Sequence, residues 1–444
     1  MNDTNLKTQQ TEPLLFGAIA DDYTGASDLA SRLNEQQVRA IQIFGLQPDE
    51  FIEGLRGRYE AVIVSLKSRS IAKVTACEWS LRALDQLVKL GTRQAQFKYC
   101  STFDSTAEGN IGPVTEALME ALPSDFTIAV PALPGNGRTQ YNGYLFVGSQ
   151  LLSESQMRHH PLNPMTEPNL VRHLQAQTTK KVGLIPHASV RAGAARIQLE
   201  AEMLKKQGVA IALVDATDED DLAEIAEAFV QAPLITGGSG LAIKLPAVWR
   251  RKKLLADPVP GRFSEANKSA RALILSGSCS AATLEQLRTL RESGHPVFRL
   301  DLSALMLGHA EAEVERLVDE ISRAINRSSC AAVYSSASAG ERAAAMCGFE
   351  AAGITADVVA TGIESALGEI ARRAVEESGI QKLIVAGGET SGAVVDALEI
   401  QAVEIRDTVE AGVPAMQTIG NRDLTLVLKS GNFGGSDFFL RALS

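Results

Sequence analysis

Two acidic residues follow the first apolar run of the chain. The run 14–19 is typical of a buried strand, and it leads directly into Ala20-Asp21-Asp22-Tyr23-Thr24-Gly25. Ligands of open α/β sheets bind beyond the carboxyl ends of the strands, so Asp21 and Asp22 are well placed to bind substrate hydroxyls or to accept a proton from one. Alternatively, Asp22 or Thr24 caps the helix predicted over Ala26–Glu35, although a cap accounts for only one of these polar residues.

A second polar segment, Lys98-Tyr99-Cys100-Ser101-Thr102-Phe103-Asp104-Ser105-Thr106, precedes Gly109-Asn110-Ile111-Gly112. Here a predicted strand opens into a loop with several hydroxyls and one carboxylate, and the loop leads into a helix whose N-terminus favours anions. Such a loop can present several donors to a polyhydroxylated acid. A turn that only caps the helix is a common alternative, but the presence of Lys98 and Asp104 favours a binding site.

Basic residues follow two further predicted strands. Lys67 and Arg69 come after the run 61–65, and Arg138 follows the run 127–131. The planar guanidinium of arginine donates two parallel hydrogen bonds to a carboxylate, which suits an acidic substrate. Any one of these residues could be a solvated surface residue, but their recurrence at strand ends of an acidic protein indicates an anion-binding site. His159 and His160 lack further ligands at a suitable spacing, so no metal site is predicted there.

The C-terminal half contains three glycine-rich loops, each directly after a predicted strand. They are Ser276-Gly277-Ser278-Cys279-Ser280, Gly387-Gly388-Glu389-Thr390-Ser391-Gly392 and Lys429-Ser430-Gly431-Asn432-Phe433-Gly434-Gly435. Glycine lets main-chain N–H groups approach phosphate oxygens closely, so three such loops in one domain predict a nucleotide site. A single loop would be weak evidence, because glycine after a strand is often only a turn. The chain has no G-x-x-x-x-G-K-[ST] element, which excludes a P-loop enzyme.

The order of the elements predicts two α/β domains. Short apolar runs alternate with helical stretches in both halves, which indicates βαβ units, mostly parallel sheets and a Rossmann-like architecture. Between the halves, residues 246–270 are polar and contain several prolines and a basic cluster. We therefore predict a first domain over 1–255, a linker over 256–270 and a second domain over 271–444.

The composition excludes several classes of function. Hydrophobic residues make up 45% of the chain, which is typical of a globular protein. The formal net charge is −10, so the excess of basic residues that a nucleic-acid-binding protein needs is absent. No apolar stretch approaches the ~20 residues that span a bilayer, and the polar N-terminus lacks a signal peptide. Five cysteines without a CxxC pair indicate reduced thiols, and we predict a cytoplasmic protein with small-molecule partners. The sequence leaves a homo-oligomer open.

Three segments together resemble the four-carbon acid-sugar kinase family, which was long known only as a domain of unknown function. They are Ile19–Ala26, Lys98–Gly112 and Lys429–Gly434, and the resemblance extends from about Leu14 to the C-terminus. Within the family, the segment Lys98–Thr106 resembles the 3-oxo-tetronate kinases, whereas threonate and erythronate kinases tend toward Lys-Lys-Ile-Asp-Ser-Thr. Leu133–Thr139 and Arg158–Leu162 resemble the same branch. Tyr23 stands where the family usually has phenylalanine, a change between two large aromatic residues.

The resemblance implies a sugar-acid-binding N-terminal domain, a nucleotide-binding C-terminal domain and an active site in the cleft between them. It implies transfer of the γ-phosphoryl group of ATP, with Mg²⁺, to the O4 hydroxyl of 3-oxo-tetronate (3-dehydrotetronate). By position, ATP would contact Ser276, Gly387, Gly388, Glu389, Thr390 and Gly431. The sugar acid would contact Asp21, Lys67, Arg69, Lys98 and Arg138. We expect Asp22 or Asp104 to orient O4 and accept its proton, while Lys98 or Arg138 holds the substrate carboxylate.

Three alternatives stay open at this point. A D-threonate or D-erythronate 4-kinase of the same family would use the same chemistry. A hydroxy-acid dehydrogenase would need a dinucleotide fingerprint near the first strand, where this chain has two acids. A non-catalytic sugar-acid sensor would need a DNA- or partner-binding module, and no basic helix-turn-helix stretch is evident. The configuration of the substrate at C2, D or L, is not readable from the sequence.

Overall fold

A computed structural model of the chain describes residues 14–159, 163–257, 270–335, 348–410, 412–431 and 433–444. Residues 258–269 of the predicted linker lie outside the described part, as do residues 160–162, Cys347 and Asn432. The chain divides into two compact units. The first contains Met1–Asp21, Arg32–Ile41 and Gly45–Pro258, and the second contains Asp22–Ser31, Gln42–Phe44 and Val259–Ser444. The predicted domain limits at 255 and 271 remain predictions.

A mostly parallel sheet forms the centre of the first unit. The strands in chain order are β1 (Phe16–Ala20), β2 (Ala40–Phe44), β3 (Ala61–Ser65), β4 (Gln94–Lys98), β5 (Thr127–Val130), β6 (Arg138–Tyr141), β7 (Tyr144–Val147), β8 (Gln150–Leu151), β9 (Lys181–Ile185), β10 (Val209–Val214) and β11 (Leu234–Gly237). Their order in the sheet is β2-β3-β1-β4-β11-β5-β10-β9, while β6, β7 and β8 form a separate antiparallel sheet. Every residue of β1, β3 and β4 is buried, as expected for parallel strands covered on both faces.

Helices alternate with these strands along the chain. They are α1 (Tyr23–Glu35), α2 (Asp49–Glu53), α3 (Lys73–Lys89), α4 (Ile111–Ala121), α5 (Leu170–Gln175), α6 (His187–Arg191), α7 (Ala194–Lys206), α8 (Glu219–Phe229) and α9 (Gly240–Arg251). The sequence predicts helices over Lys73–Lys89, Ile111–Ala121 and Val190–Lys206, and the first two are confirmed as α3 and α4. The single helix predicted over Val190–Lys206 is wrong, because the chain breaks it at Gly193, whose φ of +92° lies in the left-handed region that only glycine adopts readily.

The second unit contains strands that are parallel on one side and antiparallel on the other. Its strands are β12 (Ala272–Ser276), β13 (Val297–Arg299), β14 (Cys330–Tyr334), β15 (Lys382–Ala386), β16 (Ala402–Glu410), β17 (Val413–Ile419) and β18 (Thr425–Lys429). Their order is β13-β14-β12-β15-β18-β17-β16, and β17 runs antiparallel to both of its neighbours. The sequence patterns predict neither the β16–β17 hairpin nor the small sheet of β6 to β8.

The helices of the second unit follow its strands. They are α10 (Ala281–Glu292), α11 (Leu302–Met306), α12 (Ala310–Ser328), α13 (Ala356–Ser378), α14 (Gly388–Ala397) and α15 (Phe438–Leu443). Across the described ranges of the chain, no helix is both long enough and apolar enough to cross a membrane.

The register of the parallel strands brings their carboxyl ends level within each unit. Ala20 of β1 lies opposite Ser65 of β3 and Lys98 of β4. In the second unit, Ala386 of β15 lies opposite both Ser276 of β12 and Lys429 of β18. The segments that leave these strands therefore start from one edge of each sheet, which is where ligands of such sheets bind.

Candidate functional sites

Asp21, Arg69 and Asp104 form an ion cluster at the carboxyl edge of the first sheet. Arg69 donates from Nε to Asp21 Oδ2 at 2.9 Å and from Nη2 to Asp21 Oδ1 at 2.8 Å. Its Nη1 lies 3.8 Å from Asp104 Oδ2. The side chains of Asp21 and Asp104 are 5% and 9% exposed, so the guanidinium compensates two carboxylates that are largely removed from water. The sequence placed Asp21 and Arg69 in one predicted site, and the structure pairs them.

Asp104 is also held by the hydroxyl of its neighbour Thr102. Thr102 Oγ1 donates to Asp104 Oδ1 at 2.8 Å, and Cys100 Sγ lies 2.9 Å from the same hydroxyl. Burial, together with the charge of Asp104, raises the pKa of the Cys100 thiol to about 11. Cys100 is therefore a neutral thiol near pH 7 and can donate its proton toward Thr102. The chain Cys100–Thr102–Asp104 fixes one carboxylate oxygen of Asp104.

The loop that carries Asp104 is supported by two residues that are not among the predicted site residues. Asn110 Nδ2 donates to the carbonyls of Ser68 at 2.8 Å and Ile71 at 2.9 Å, which joins this loop to the segment of Arg69. Gln177 Nε2 donates to Ser105 Oγ at 2.9 Å and to the carbonyl of Thr106 at 2.7 Å. Gln177 lies more than 70 positions away and carries no signal of its own, so only the folded chain reveals it.

Phe103, in the middle of the same loop, has a left-handed backbone. Its φ is +58° and its side chain is fully buried. The ring packs edge-on against Tyr99, with ring centroids 5.3 Å apart, and against His173 at 5.6 Å. Burial lowers the pKa of His173, which keeps its imidazole neutral near pH 7. Aromatic packing thus stabilises a backbone conformation that non-glycine residues seldom adopt.

The other predicted substrate residues occupy separate positions. Lys98 ends β4, is 3% exposed, and donates from Nζ to the carbonyl of Tyr99 at 3.0 Å. Lys67 is half-buried just beyond β3. Arg138 begins β6 and donates to the carbonyl of Asn136. Within the described part of the chain, no hydrogen bond or ion pair links Arg138 to the cluster of Asp21, Arg69 and Asp104.

Asp22 caps the first helix. Its Oδ2 accepts hydrogen bonds from Gly25 N at 3.2 Å and from Thr24 Oγ1 at 2.9 Å, and α1 begins at the next residue. The capping alternative from the sequence is therefore real, with Asp22 as the cap and Thr24 as one of its donors. Asp22 is counted with the second compact unit, whereas Asp21 belongs to the first.

The three glycine-rich loops meet at the carboxyl edge of the second sheet. Gly387 N donates to the carbonyl of Lys429 at 2.9 Å, and Gly277 N and Ser278 N both lie 3.2 Å from the carbonyl of Ala386. A Cβ on Gly277 would lie 2.0 Å from Thr390 Oγ1, and one on Gly431 would lie 2.2 Å from Ser278 Oγ. Glycine is therefore required here so that the loops can approach one another.

Helix α14 starts at this junction and supplies an anion site. Gly388, Glu389 and Thr390 form its first turn, in which main-chain N–H groups have no acceptor within the helix. These N–H groups and the positive end of the helix dipole favour a phosphate group. Gly388 and Glu389 are exposed, Thr390 is buried, and a Cβ on Gly388 would meet no atom within 4 Å. Ser276 is fully buried, and its hydroxyl lies 3.4 Å from the carbonyl of Ser278.

Comparison with known proteins assigns a type of domain to each half of the chain. A sugar-binding N-terminal domain model matches residues 16–245, and a nucleotide-binding C-terminal domain model matches residues 273–439. Proteins named 3-oxo-tetronate kinase from Pseudomonas fluorescens and Cupriavidus necator are each 45% identical over 97% of this chain and 96% of the relative. The chain therefore belongs to the four-carbon acid-sugar kinase family, and it is an ATP-dependent phosphotransferase. The particular name that these full-length relatives share is 3-oxo-tetronate kinase.

Solved structures show the same fold. A crystal structure from Haemophilus influenzae is 40% identical, with a TM-score of 0.76 over 96% of this chain and 98% of that chain. A second, from Salmonella typhimurium LT2 and described there as a candidate tRNA synthase, is also 40% identical, with a TM-score of 0.82 over 97% of this chain and 98% of that chain. A tRNA partner would demand a basic surface, whereas this chain has a formal net charge of −10.

Proposed function

We propose that this protein is a 3-oxo-tetronate kinase, which transfers the γ-phosphoryl group of ATP to the O4 hydroxyl of 3-oxo-tetronate. The observation that carries this proposal is the likeness to relatives of that name along almost the whole of both chains. The two sites support it, because one gathers carboxylates and basic groups suited to a hydroxy acid and the other gathers N–H groups suited to phosphates. Phosphoryl transfer requires mainly alignment, neutralisation of charge and a proton acceptor.

For the sugar-acid end we propose Asp104 as the proton acceptor, with Asp22 as the rival candidate. Thr102 holds one oxygen of Asp104, while the other oxygen lies beside the Arg69 guanidinium at 3.8 Å. The fork of Arg69 is already bonded to Asp21, so we assign Arg69 to positioning the two carboxylates. Lys98 or Arg138 then remains to bind the substrate carboxylate, with Lys67 as a further cation at the same edge of the sheet.

For the nucleotide end we propose that the phosphates of ATP lie against Gly387, Gly388, Thr390 and Gly431. The open space above Gly388 and the N–H groups of the α14 start fit a phosphate chain. Mg²⁺ on the phosphates would neutralise charge that develops during transfer, and it usually takes one or two carboxylates together with water and phosphate oxygens. Glu389, exposed in the first turn of α14, fits such a ligand.

Gly388→Ala tests the position of the phosphates. The added methyl group meets no protein atom, so we expect the melting temperature to stay unchanged. If the phosphates occupy this space, the Kd for ADP should rise roughly tenfold, about 1.4 kcal/mol. Gly431→Ala is the contrasting variant, because its Cβ would meet Ser278 Oγ at 2.2 Å and should reduce stability as well as affinity. An unchanged Kd for ADP in Gly388→Ala would place the phosphates elsewhere.

A coupled ADP-release assay with Mg-ATP tests the activity itself. The acceptors are the D and L forms of 3-oxo-tetronate, D-threonate, L-threonate and D-erythronate. We expect turnover with a 3-oxo-tetronate, and the preferred enantiomer then fixes the configuration at C2. Turnover with only threonate or erythronate would retain the kinase chemistry and reject the proposed acceptor. Binding of ATP without turnover on any acceptor would favour a different substrate or a sensor.

A further inference from the structure

Lys429 carries a fully buried ammonium group beneath the glycine-rich loop that follows β18. The residue has no exposed surface. Its Nζ donates to the carbonyls of Ser430 at 3.2 Å, Gly431 at 3.1 Å and Phe433 at 3.1 Å, and lies 3.1 Å from Thr283 Oγ1. The Phe438 and Phe439 rings lie 5.6 and 5.9 Å from it. This cation is thus enclosed by carbonyl oxygens, a hydroxyl and aromatic rings.

A neighbouring amide binds the carbonyls of the rest of the loop. Gln286 Nε2 donates to the carbonyls of Phe433 at 3.0 Å, Gly434 at 2.9 Å and Gly435 at 3.0 Å. The carbonyl of Gly431 also accepts from Ser280 Oγ at 2.6 Å and from Thr283 Oγ1 at 2.7 Å. Each carbonyl of this loop that the structure describes therefore accepts a hydrogen bond from within the protein.

Two main-chain N–H groups of the loop differ from its carbonyls. Within the part of the chain that the structure describes, the main-chain N–H groups of Gly431 and Gly434 have no acceptor. Phe433 N donates to the carbonyl of Ser430 at 3.1 Å and Gly435 N donates to Glu410 Oε2 at 3.3 Å, which leaves Gly431 N and Gly434 N as donors for an anion. Gly431 lies close to Ser278, so the first glycine-rich loop packs against this loop.

We propose that Lys429 is the positioning residue of the nucleotide site: its ammonium acts as a built-in cation that holds the loop carbonyls inward, so that the N–H groups of Gly431 and Gly434 face the nucleotide phosphates. This inference rests on the proposed function of the second unit. It differs from the role usually expected of a lysine beside a glycine-rich loop, which is to contact a phosphate directly. Lys429 acts through the loop and is not a catalytic residue.

The charge of Lys429 depends on pH in a useful range. Burial lowers its pKa to about 8, while the nearby carboxylate of Glu410 opposes that shift. Glu410 is itself paired with Arg441 at 2.6 Å, and Arg441 with Asp437 at 3.2 Å, so this carboxylate is partly neutralised. As the pH rises through about 8, Lys429 loses the proton that the loop carbonyls require. We therefore expect nucleotide affinity to fall above that pH.

Stability should change in the opposite direction over the same pH range. The folded pKa is lowered relative to the ordinary lysine value of 10.5, so between about 8 and 10.5 the unfolded chain binds more protons at this position than the folded chain does. The titration of Lys429 taken alone thus makes the folded state more stable as the pH rises through that window. If nucleotide affinity falls in this pH range and the free energy of unfolding does not, the cause is therefore the loss of the Lys429 charge in the loop and not unfolding of the protein.

The test is a calorimetric titration of ADP into the full chain and into Lys429→Ala. At pH 7 we expect Lys429→Ala to raise the Kd roughly 10- to 100-fold, the effect of losing a network of charge-assisted hydrogen bonds. Ammonium chloride, which supplies a small cation, should restore affinity in this variant, whereas tetramethylammonium chloride at the same concentration should not. Lys382→Ala is the matched control, since Lys382 is also buried in this unit. Lys382 begins β15, whereas Lys429 ends β18, and Lys382 donates to the carbonyl of Leu443.

The outcomes separate this inference from the proposed function, because the measured quantity is nucleotide binding rather than turnover. An unchanged Kd for ADP in Lys429→Ala would overturn the positioning role and leave the kinase proposal intact. The same conclusion follows if Lys429→Ala loses ADP affinity that ammonium does not restore and Lys382→Ala loses as much. If Lys429→Ala does not fold, the Kd for ADP is measured with the wild-type chain from pH 7 to pH 9.5. A Kd that stays constant over this range would also overturn the positioning role of Lys429. A wild-type chain that binds no ADP would overturn the nucleotide site as a whole.

Discussion

Asp104→Asn should lower kcat by roughly 10²- to 10⁴-fold while leaving the fold intact, because it removes the proposed proton acceptor and little else. Asparagine has the same shape as aspartate, and its oxygen can still accept the hydrogen bond from Thr102 that Asp104 Oδ1 accepts at 2.8 Å. The loop that carries residue 104 is also supported by Asn110 and Gln177, which the substitution does not touch. The measurement is kcat for ADP release at saturating ATP and 3-oxo-tetronate.

Asp22→Asn is the matched variant for this experiment. Asparagine is as good an N-cap as aspartate, so the hydrogen bonds that Gly25 N and Thr24 Oγ1 make with residue 22 should survive. We expect a much smaller loss of kcat than in Asp104→Asn. A large loss in Asp22→Asn alone would transfer the proton-acceptor role to Asp22, and near-normal kcat in both variants would reject both assignments.

Arg69→Ala should destabilise the protein by about 3–5 kcal/mol, because it removes the guanidinium that compensates the buried carboxylate of Asp21. The side chains of Arg69 and Asp21 are 23% and 5% exposed, so the Asp21 carboxylate that loses this fork of hydrogen bonds is largely removed from water. Asp104 loses a neighbouring positive charge at the same time. The measurement is the free energy of unfolding in urea at pH 7.

Arg172→Ala provides a control with the same geometry on the surface. Arg172 binds Glu167 through Nε at 2.9 Å and Nη2 at 2.8 Å, the distances that Arg69 has to Asp21, but the two side chains are 58% and 34% exposed. A solvated pair of this kind contributes at most about 1 kcal/mol. Equal losses in Arg69→Ala and Arg172→Ala would show that burial does not set the strength of the Arg69 pair.

Local sequence was sufficient to determine most of the secondary structure. The helices Lys73–Lys89 and Ile111–Ala121 and the strands Ala61–Ser65, Cys330–Tyr334 and Lys382–Ala386 have the bounds that their apolar pattern predicts. Apolar residues recur at the period of a helix or a strand, and glycine or proline interrupts the pattern. This signal is therefore contained in short stretches of sequence. The antiparallel hairpins were missed because they lack alternating patterns that differ clearly from the loops around them.

The sequence also determined which strand ends carry functional groups. The acids after β1, the hydroxyl-rich loop after β4 and the three glycine-rich loops are visible in the chain because each directly follows an apolar run. Together with the family resemblance, they indicated a sugar-acid site in the first half and a nucleotide site in the second. The assignment of individual residues to ATP and sugar acid stays a prediction until the variants are measured.

Tertiary structure alone decided which of these groups contact one another. Arg69 pairs with Asp21 because β1 lies between β3 and β4, an order that no stretch of sequence encodes locally. The same holds for Gln177, which supports a loop more than 70 positions away, and for Lys429, whose ammonium binds the carbonyls of its own loop. Periodicity and turn chemistry act between near neighbours, whereas these contacts depend on strand order and on the direction in which a side chain leaves its strand.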